Sequence, residues 1–254
     1  MTPARSDADP VRSATTGRRA DQASLGTAIP AALERAEAAV AAGRPLTGTG
    51  FWKAVGLARR DPGLAERFAD RIAAVDREAF ESRVHLRAPV WVGNLLLGAG
   101  AGAGVVAVAV APRFGGLTRS LVFLGGSGAL VVTTHSLSHW VVGRALGMRF
   151  THYFLGGPPP PRPGLKIDYA TYLRSGPAAR AVMHASGAVV TKLVPFVLVP
   201  VTRAGGQPRW VVWTLLAVGA GQIVTDAVFS TRSSDWKKVR RELRAAKKEV
   251  GSRH

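Results

Sequence analysis

The stretch VVTTHSLSHWVVGRALGMRF, from Val131 to Phe150, sets two histidines, His135 and His139, inside what otherwise reads as an apolar membrane helix. Ionisable side chains in such a segment are costly and turn toward other protein, where a partner satisfies them. A spacing of four puts both imidazoles on one helical face. The fold and function of the chain therefore depend on what those two rings meet.

Four apolar segments surround the question: roughly 90–111, 121–146, 181–201 and 210–229. Each is close to the ~20 residues that cross hydrocarbon as a helix. The first carries GAGAGAG, Gly98 to Gly104. It lacks the Lys-Ser/Thr that ends a phosphate-binding loop, so Gly98 and Gly102 are expected at a close helix–helix contact. The reading is an all-α, polytopic helical membrane protein with four transmembrane helices, an N-terminal helical cap and a C-terminal basic amphipathic helix.

The flanks divide as follows. Residues 1–26 are poor in large apolar groups and are expected to be disordered. Arg18-Arg19 has no apolar core directly behind it, which argues against a twin-arginine signal. Residues 27–88 read as a soluble cap of short helices, with Leu64, Phe68, Ile72 and Val75 on one face. Residues 89–232 form the membrane domain. Residues 233–254 form a basic tail whose apolar stripe is Trp236, Val239, Leu243, Ala246 and Val250. GGPPPPRPG, Gly156 to Gly164, is expected as a stiff polyproline spacer, and FTHYFLGG before it as a short strand.

Charge fits the same picture. The formal charge is +18, from 34 Lys and Arg against 16 Asp and Glu. These charges are thin across the apolar blocks and dense at their edges, which is the pattern of a membrane protein, and no nucleic-acid partner is expected. The positive-inside rule applied to the loops places both termini and the 149–180 loop in the cytoplasm of a multi-pass protein of the cell membrane. The basic tail is expected on the anionic leaflet of the bilayer. There is no cysteine, which removes thiolate chemistry and Cys-based metal sites. Six histidines in all are too few for a di-iron membrane oxygenase.

Depth can be counted from the cytoplasmic edges of the spans. His139 lies five residues before Arg144, His184 four after Arg180, and Asp226 six before Arg232. At about 1.5 Å per residue these three fall within one helical turn of a common layer. His135 is one turn deeper. Two imidazoles at i and i+4 with a carboxylate from another helix make a workable divalent-metal set, and Zn²⁺ would offset the burial of Asp226. Interhelical hydrogen bonding without a metal is the alternative. Lys192, midway along the third span, has no evident partner.

HSLSHWVVGRALGMRFTHYFLGG resembles the first motif of the site-2 protease family of intramembrane zinc metalloproteases, which carries His-Glu-x-x-His, then Leu-Gly and a short strand ending in Leu-Gly. His135, His139, Leu146-Gly147 and Leu155-Gly156 stand in those places. Ser186-Gly187-Ala188 and Thr191 are similar to the family's second core helix, and Asp226 to its aspartate ligand, over about residues 120–232. The resemblance implies a zinc site at His135, His139 and Asp226, to which His184 would add a fourth ligand and close the coordination shell. The departure is Ser136, which stands where the family has its general base. A serine has no carboxylate to take a proton from metal-bound water at neutral pH. The expectation is a non-proteolytic or impaired relative that binds a divalent metal and a single-span membrane partner. An active metalloprotease with a substituted base, and a metal-free membrane scaffold, are the alternatives.

Overall fold

The computed structural model describes residues 27–156, 161–228 and 234–251. The readings of residues 1–26, of Arg18-Arg19 and of residues 157–160 lie outside them. The chain divides into two compact units, Met1–Arg83 and Val84–His254.

The first unit contains α1 (27–41), α2 (Phe51–Ala58) and α3 (Pro62–Glu81). Asp61 starts α3: its carboxylate accepts from the backbone N–H groups of Gly63 and Leu64 at 2.8 and 3.1 Å, and Pro62 supplies a first-turn residue that needs no donor partner. Phe68, Ile72 and Val75 are buried as the periodicity predicts, together with Ile29, Leu33 and Phe51. An exposed ion pair, Arg71 with Glu37 at 2.6 Å, joins α3 to α1.

The second unit begins with β1 (Arg87–Pro89) and α4 (Val90–Val110). A short 3₁₀ turn, Ala111–Arg113, leads to α5 (Gly116–Ala145), β2 (Phe150–Gly156) and β3 (Arg162–Ile167). Then come α6 (Tyr169–Arg174), α7 (Pro177–Ala204), α8 (Arg209–Val228) and α9 (Asp235–Gly251). The described residues are mostly helical, as expected, and hold one antiparallel sheet of order β1-β2-β3. The expected strand is β2. At the end of the proline-rich stretch residues 162–164 pair in β3, where Pro163 faces Leu155 at a sheet edge that tolerates a missing donor.

Three helices are long and apolar enough to cross a membrane among the described residues: Val90–Arg113, Gly116–Ala145 and Pro177–Ala204. Between 17% and 33% of their most apolar windows is buried inside the protein. Trp91, Leu95, Val106, Val132 and Val197 all face outward, an arrangement suited to hydrocarbon rather than water. The expected fourth span is α8 as far as Val228, and it is not among those three.

Helix α7 is central and packs against α5, α8 and α9, while α5 also packs on α4. The α4–α5 crossing uses the other glycine face from the one expected. Gly98 and Gly102 meet nothing, whereas a Cβ on Gly100 would lie 2.9 Å from Thr133 and one on Gly104 2.9 Å from the Gly126 carbonyl. A repeat of GAGA offers two faces of glycine at i, i+4, and only packing selects one.

Helix α9, with its expected stripe of Trp236, Val239 and Leu243, packs along α7 with Val239 and Glu242 buried and Leu243 exposed. Its inner face is therefore Asp235, Val239 and Glu242, at i, i+4 and i+7.

Candidate metal centre

The site is built on α5. His135 and His139 lie one turn apart with their rings edge to face, centroids 4.8 Å apart. Room for the second ring comes from Gly187 on α7: a Cβ there would overlap the imidazole, with Cδ2 2.7 Å away. His139 Nδ1 lies 2.8 Å from the carbonyl oxygen of Met183, which can only accept, so the ring carries its proton on Nδ1. His135 Nδ1 lies 2.9 Å from Thr191 Oγ1. The Thr191 hydroxyl donates its single proton to the Gly187 carbonyl at 2.7 Å, so it accepts from His135. Each imidazole is thereby oriented with its Nε2 toward the Asp235 carboxylate, bare in the neutral ring and a donor in the protonated one.

Those two nitrogens face one carboxylate oxygen. Asp235 Oδ2 lies 3.3 Å from His139 Nε2 and 3.7 Å from His135 Nε2. The ligand atoms of the three residues all lie within 4.8 Å of one another. The other oxygen, Oδ1, is held by Lys238 Nζ at 3.0 Å. Burial alone would raise the Asp235 pKa, but the His139 contact and the Lys238 ammonium outweigh it and hold the carboxyl well below the usual range.

With both rings neutral the three converging atoms are all acceptors and need a cation between them; with His139 protonated, its Nε2–H donates to Asp235 Oδ2. One proton would serve one nitrogen–oxygen pair and leave the second imidazole facing a lone pair. A metal ion would serve all three. With metal–ligand arms of about 2.0–2.1 Å, the edge of a tetrahedral zinc site is about 3.3–3.4 Å, close to the separations across this carboxylate. The outer shell is that of a metal site too, each imidazole being oriented by a bond from its far nitrogen. His135, His139 and Asp235 could therefore hold a metal ion.

The other two expected ligands do not join this group. Asp226 accepts from Lys192 Nζ through Oδ2, and from the Trp236 indole N–H at 3.0 Å. Lys192, which had no evident partner in the sequence, also reaches the Ala188 carbonyl at 3.1 Å and stands 5.6 Å over the Trp236 ring. His184 is buried on α7 with its Nε2 3.0 Å from the Tyr172 hydroxyl. A three-ligand set keeps a coordination position open, unlike the closed four-ligand shell expected with His184.

No family model, curated protein or solved structure matches the chain. The site consequently stands on its own geometry.

Two cavities border it. One, of about 560 Å³, is lined by His135, Thr191, Lys192, Gln222, Asp226 and Asp235, among others. The second, of about 340 Å³, has His135, Ser136, His139, His184, Asp235 and Lys238 in its wall, beside residues 163–165 of β3. Depth counting thus brought Asp226 and His184 to the neighbourhood without placing either on the ion. Asp235 was missed because the sequence gives no sign that the chain folds back after α8. One signal was available: Asp235, Glu242 and Glu249 follow one another at seven-residue spacing in a basic helix, which marks a single acidic face.

Proposed function

We propose that this chain is a site-2-protease-like protein of the cell membrane that binds one divalent cation, Zn²⁺, at His135, His139 and Asp235, and is non-proteolytic or impaired as a peptidase. The observation that carries the reading is the convergence of two imidazoles and one carboxylate, whose ligand atoms all lie within 4.8 Å of one another. Two neutral imidazoles and a carboxylate suit zinc among biological divalent ions. The impairment follows from Ser136, which lines the cavity beside the metal centre but cannot act as its base. Lys and Arg at the span edges support a cytoplasmic side for both termini, an arrangement that requires α8 to cross as a fourth span. A single-span membrane protein is the partner class that such a site in a bilayer would meet, and the anionic leaflet is the surface that the outer basic groups of α9 would face.

Elemental analysis of the full chain purified in detergent tests this. Zinc is expected near one ion per chain, lost in both His139→Ala and Asp235→Ala and kept in Asp226→Asn. Protein with no metal under zinc-replete conditions would overturn the reading in favour of the scaffold. Chelator-sensitive cleavage of a membrane peptide by the unaltered chain would overturn the impairment. Cleavage gained only in Ser136→Glu would support it.

A further inference from the structure

Helix α9 contributes more than one ligand. Glu242 stands two turns beyond Asp235 on the same face, about 10.5 Å along the axis at 1.5 Å per residue. It is fully buried, and its partner Arg180 at the start of α7 is 2% exposed. Arg180 Nε donates to Glu242 Oε2 at 2.8 Å, while Arg241 Nε donates to Oε1 at 3.1 Å. The Arg180 guanidinium is fixed in turn by the carbonyls of Leu173, at 3.4 Å, and Ser175. Its carbon lies 5.5 Å from the Tyr172 ring centre, and the Tyr172 hydroxyl holds His184. A buried, multiply bonded ion pair of this kind is weak as a source of stability but strict about geometry.

That geometry bears on the metal centre. Sliding α9 by one residue would move Asp235 about 1.5 Å along the axis and turn it about 100° around it, taking the carboxylate off both imidazoles. The Arg180–Glu242 pair fixes both coordinates at once. On the basis of the metal reading above, we infer that Arg180 and Glu242 are positioning residues for the cation site, and that cation binding and docking of α9 on α7 form a single linked equilibrium. The ion joins a helix beyond the last apolar segment to α5, so it acts as a clasp for the C-terminal helix. Whatever binds only the docked state stabilises it in proportion to ligand concentration over Kd.

The test uses the full chain in detergent, Zn²⁺ itself, a chelator and trypsin. Lys237, Arg240 and Arg244 on α9 are exposed cleavage sites that become reactive when the helix leaves α7 and frays. With free zinc at about 100 times its Kd, cleavage within α9 is expected to slow by up to about 100-fold relative to chelated protein, while cleavage in the first unit is unchanged. Asp235→Asn should remove that zinc dependence. The double variant Arg180→Met with Glu242→Met removes the pair without stranding a buried charge. It should bind zinc about 10- to 100-fold more weakly, the usual loss when an outer-shell support is removed, and need correspondingly more zinc for protection. Restoring the pair with Arg180→Lys alone should recover part of the affinity, which a general packing role would not predict. Zinc that binds without changing α9 cleavage, or a double variant with unaltered affinity, would overturn the inference and leave the metal reading intact. Absence of zinc binding would overturn both.

Discussion

Two clusters of ionisable groups flank α7, and they differ in one respect: the count of hydrogens. Around Asp226, every close partner is a donor, the Lys192 ammonium and the Trp236 indole N–H. The carboxylate is satisfied, and an added cation would have to displace one. Around Asp235 Oδ2, the close partners are two nitrogens whose protons are committed elsewhere, to Met183 and Thr191. With both rings neutral, neither can donate to that oxygen. Two aspartates of the same chain, both lining one cavity, thus divide into an internal salt bridge and a candidate ligand. Proximity and depth do not separate such cases. The donor and acceptor inventory does.

The largest effect that would break this contrast is on metal affinity. Asp235→Asn should weaken zinc binding by more than about 100-fold, since loss of an outer-shell partner alone costs 10- to 100-fold. Asp226→Asn should leave it within a few-fold, as read by competition with a chelating dye. Equal losses in both would mean that Asp226 is the ligand after all.

Next in size is Gly187→Ala. The new methyl would overlap the His139 ring, and the imidazole must turn away. A loss of about 10- to 100-fold in zinc affinity is expected, with little change in the fold read by circular dichroism. Thr191→Val, which removes the acceptor that fixes the His135 tautomer, should fall in the lower part of the same range.

Lys192→Met sharpens the comparison from the other side. It leaves Asp226 facing only the indole, and the detergent-solubilised protein should lose about 1–3 kcal/mol of stability, seen as a lower melting temperature with zinc affinity nearly unchanged.

The smallest effect belongs to an exposed reference pair. Arg71 bonding outweighs burial and holds Glu37 below its ordinary value of 4.5. A depressed carboxyl contributes stability above its unfolded pKa and loses it as the pH falls through the folded one. Both side chains are more than a third exposed, so Glu37→Gln should cost no more than about 0.5 kcal/mol at neutral pH. The difference from the wild type should vanish as the pH drops below about 4.

Much of this architecture was legible in the chain. Apolar length marked α4, α5 and α7, and the helical spacing of Leu64, Phe68, Ile72 and Val75 marked α3. The i, i+4 rule put His135 and His139 on one face, and counting from the flanking arginines brought Asp226 and His184 close to them. Counting failed where rotation mattered. The face of α4 that meets α5 is Gly100–Gly104 rather than Gly98–Gly102, and the buried face of α9 carries Glu242 rather than Leu243. An apolar stripe in a basic helix does not say which of its residues will meet a neighbouring helix, and here Arg180 meets Glu242.

The sequence by itself determined the helical class, the apolar spans, the paired imidazoles and the layer in which polar groups gather, because helical rise and side-chain periodicity are local properties of a few consecutive residues. Only the tertiary structure decided which carboxylate faces those imidazoles and which is neutralised by Lys192. That choice depends on how α9 returns along α7 and on where each proton is already committed, and both are fixed by contacts between residues far apart in the chain.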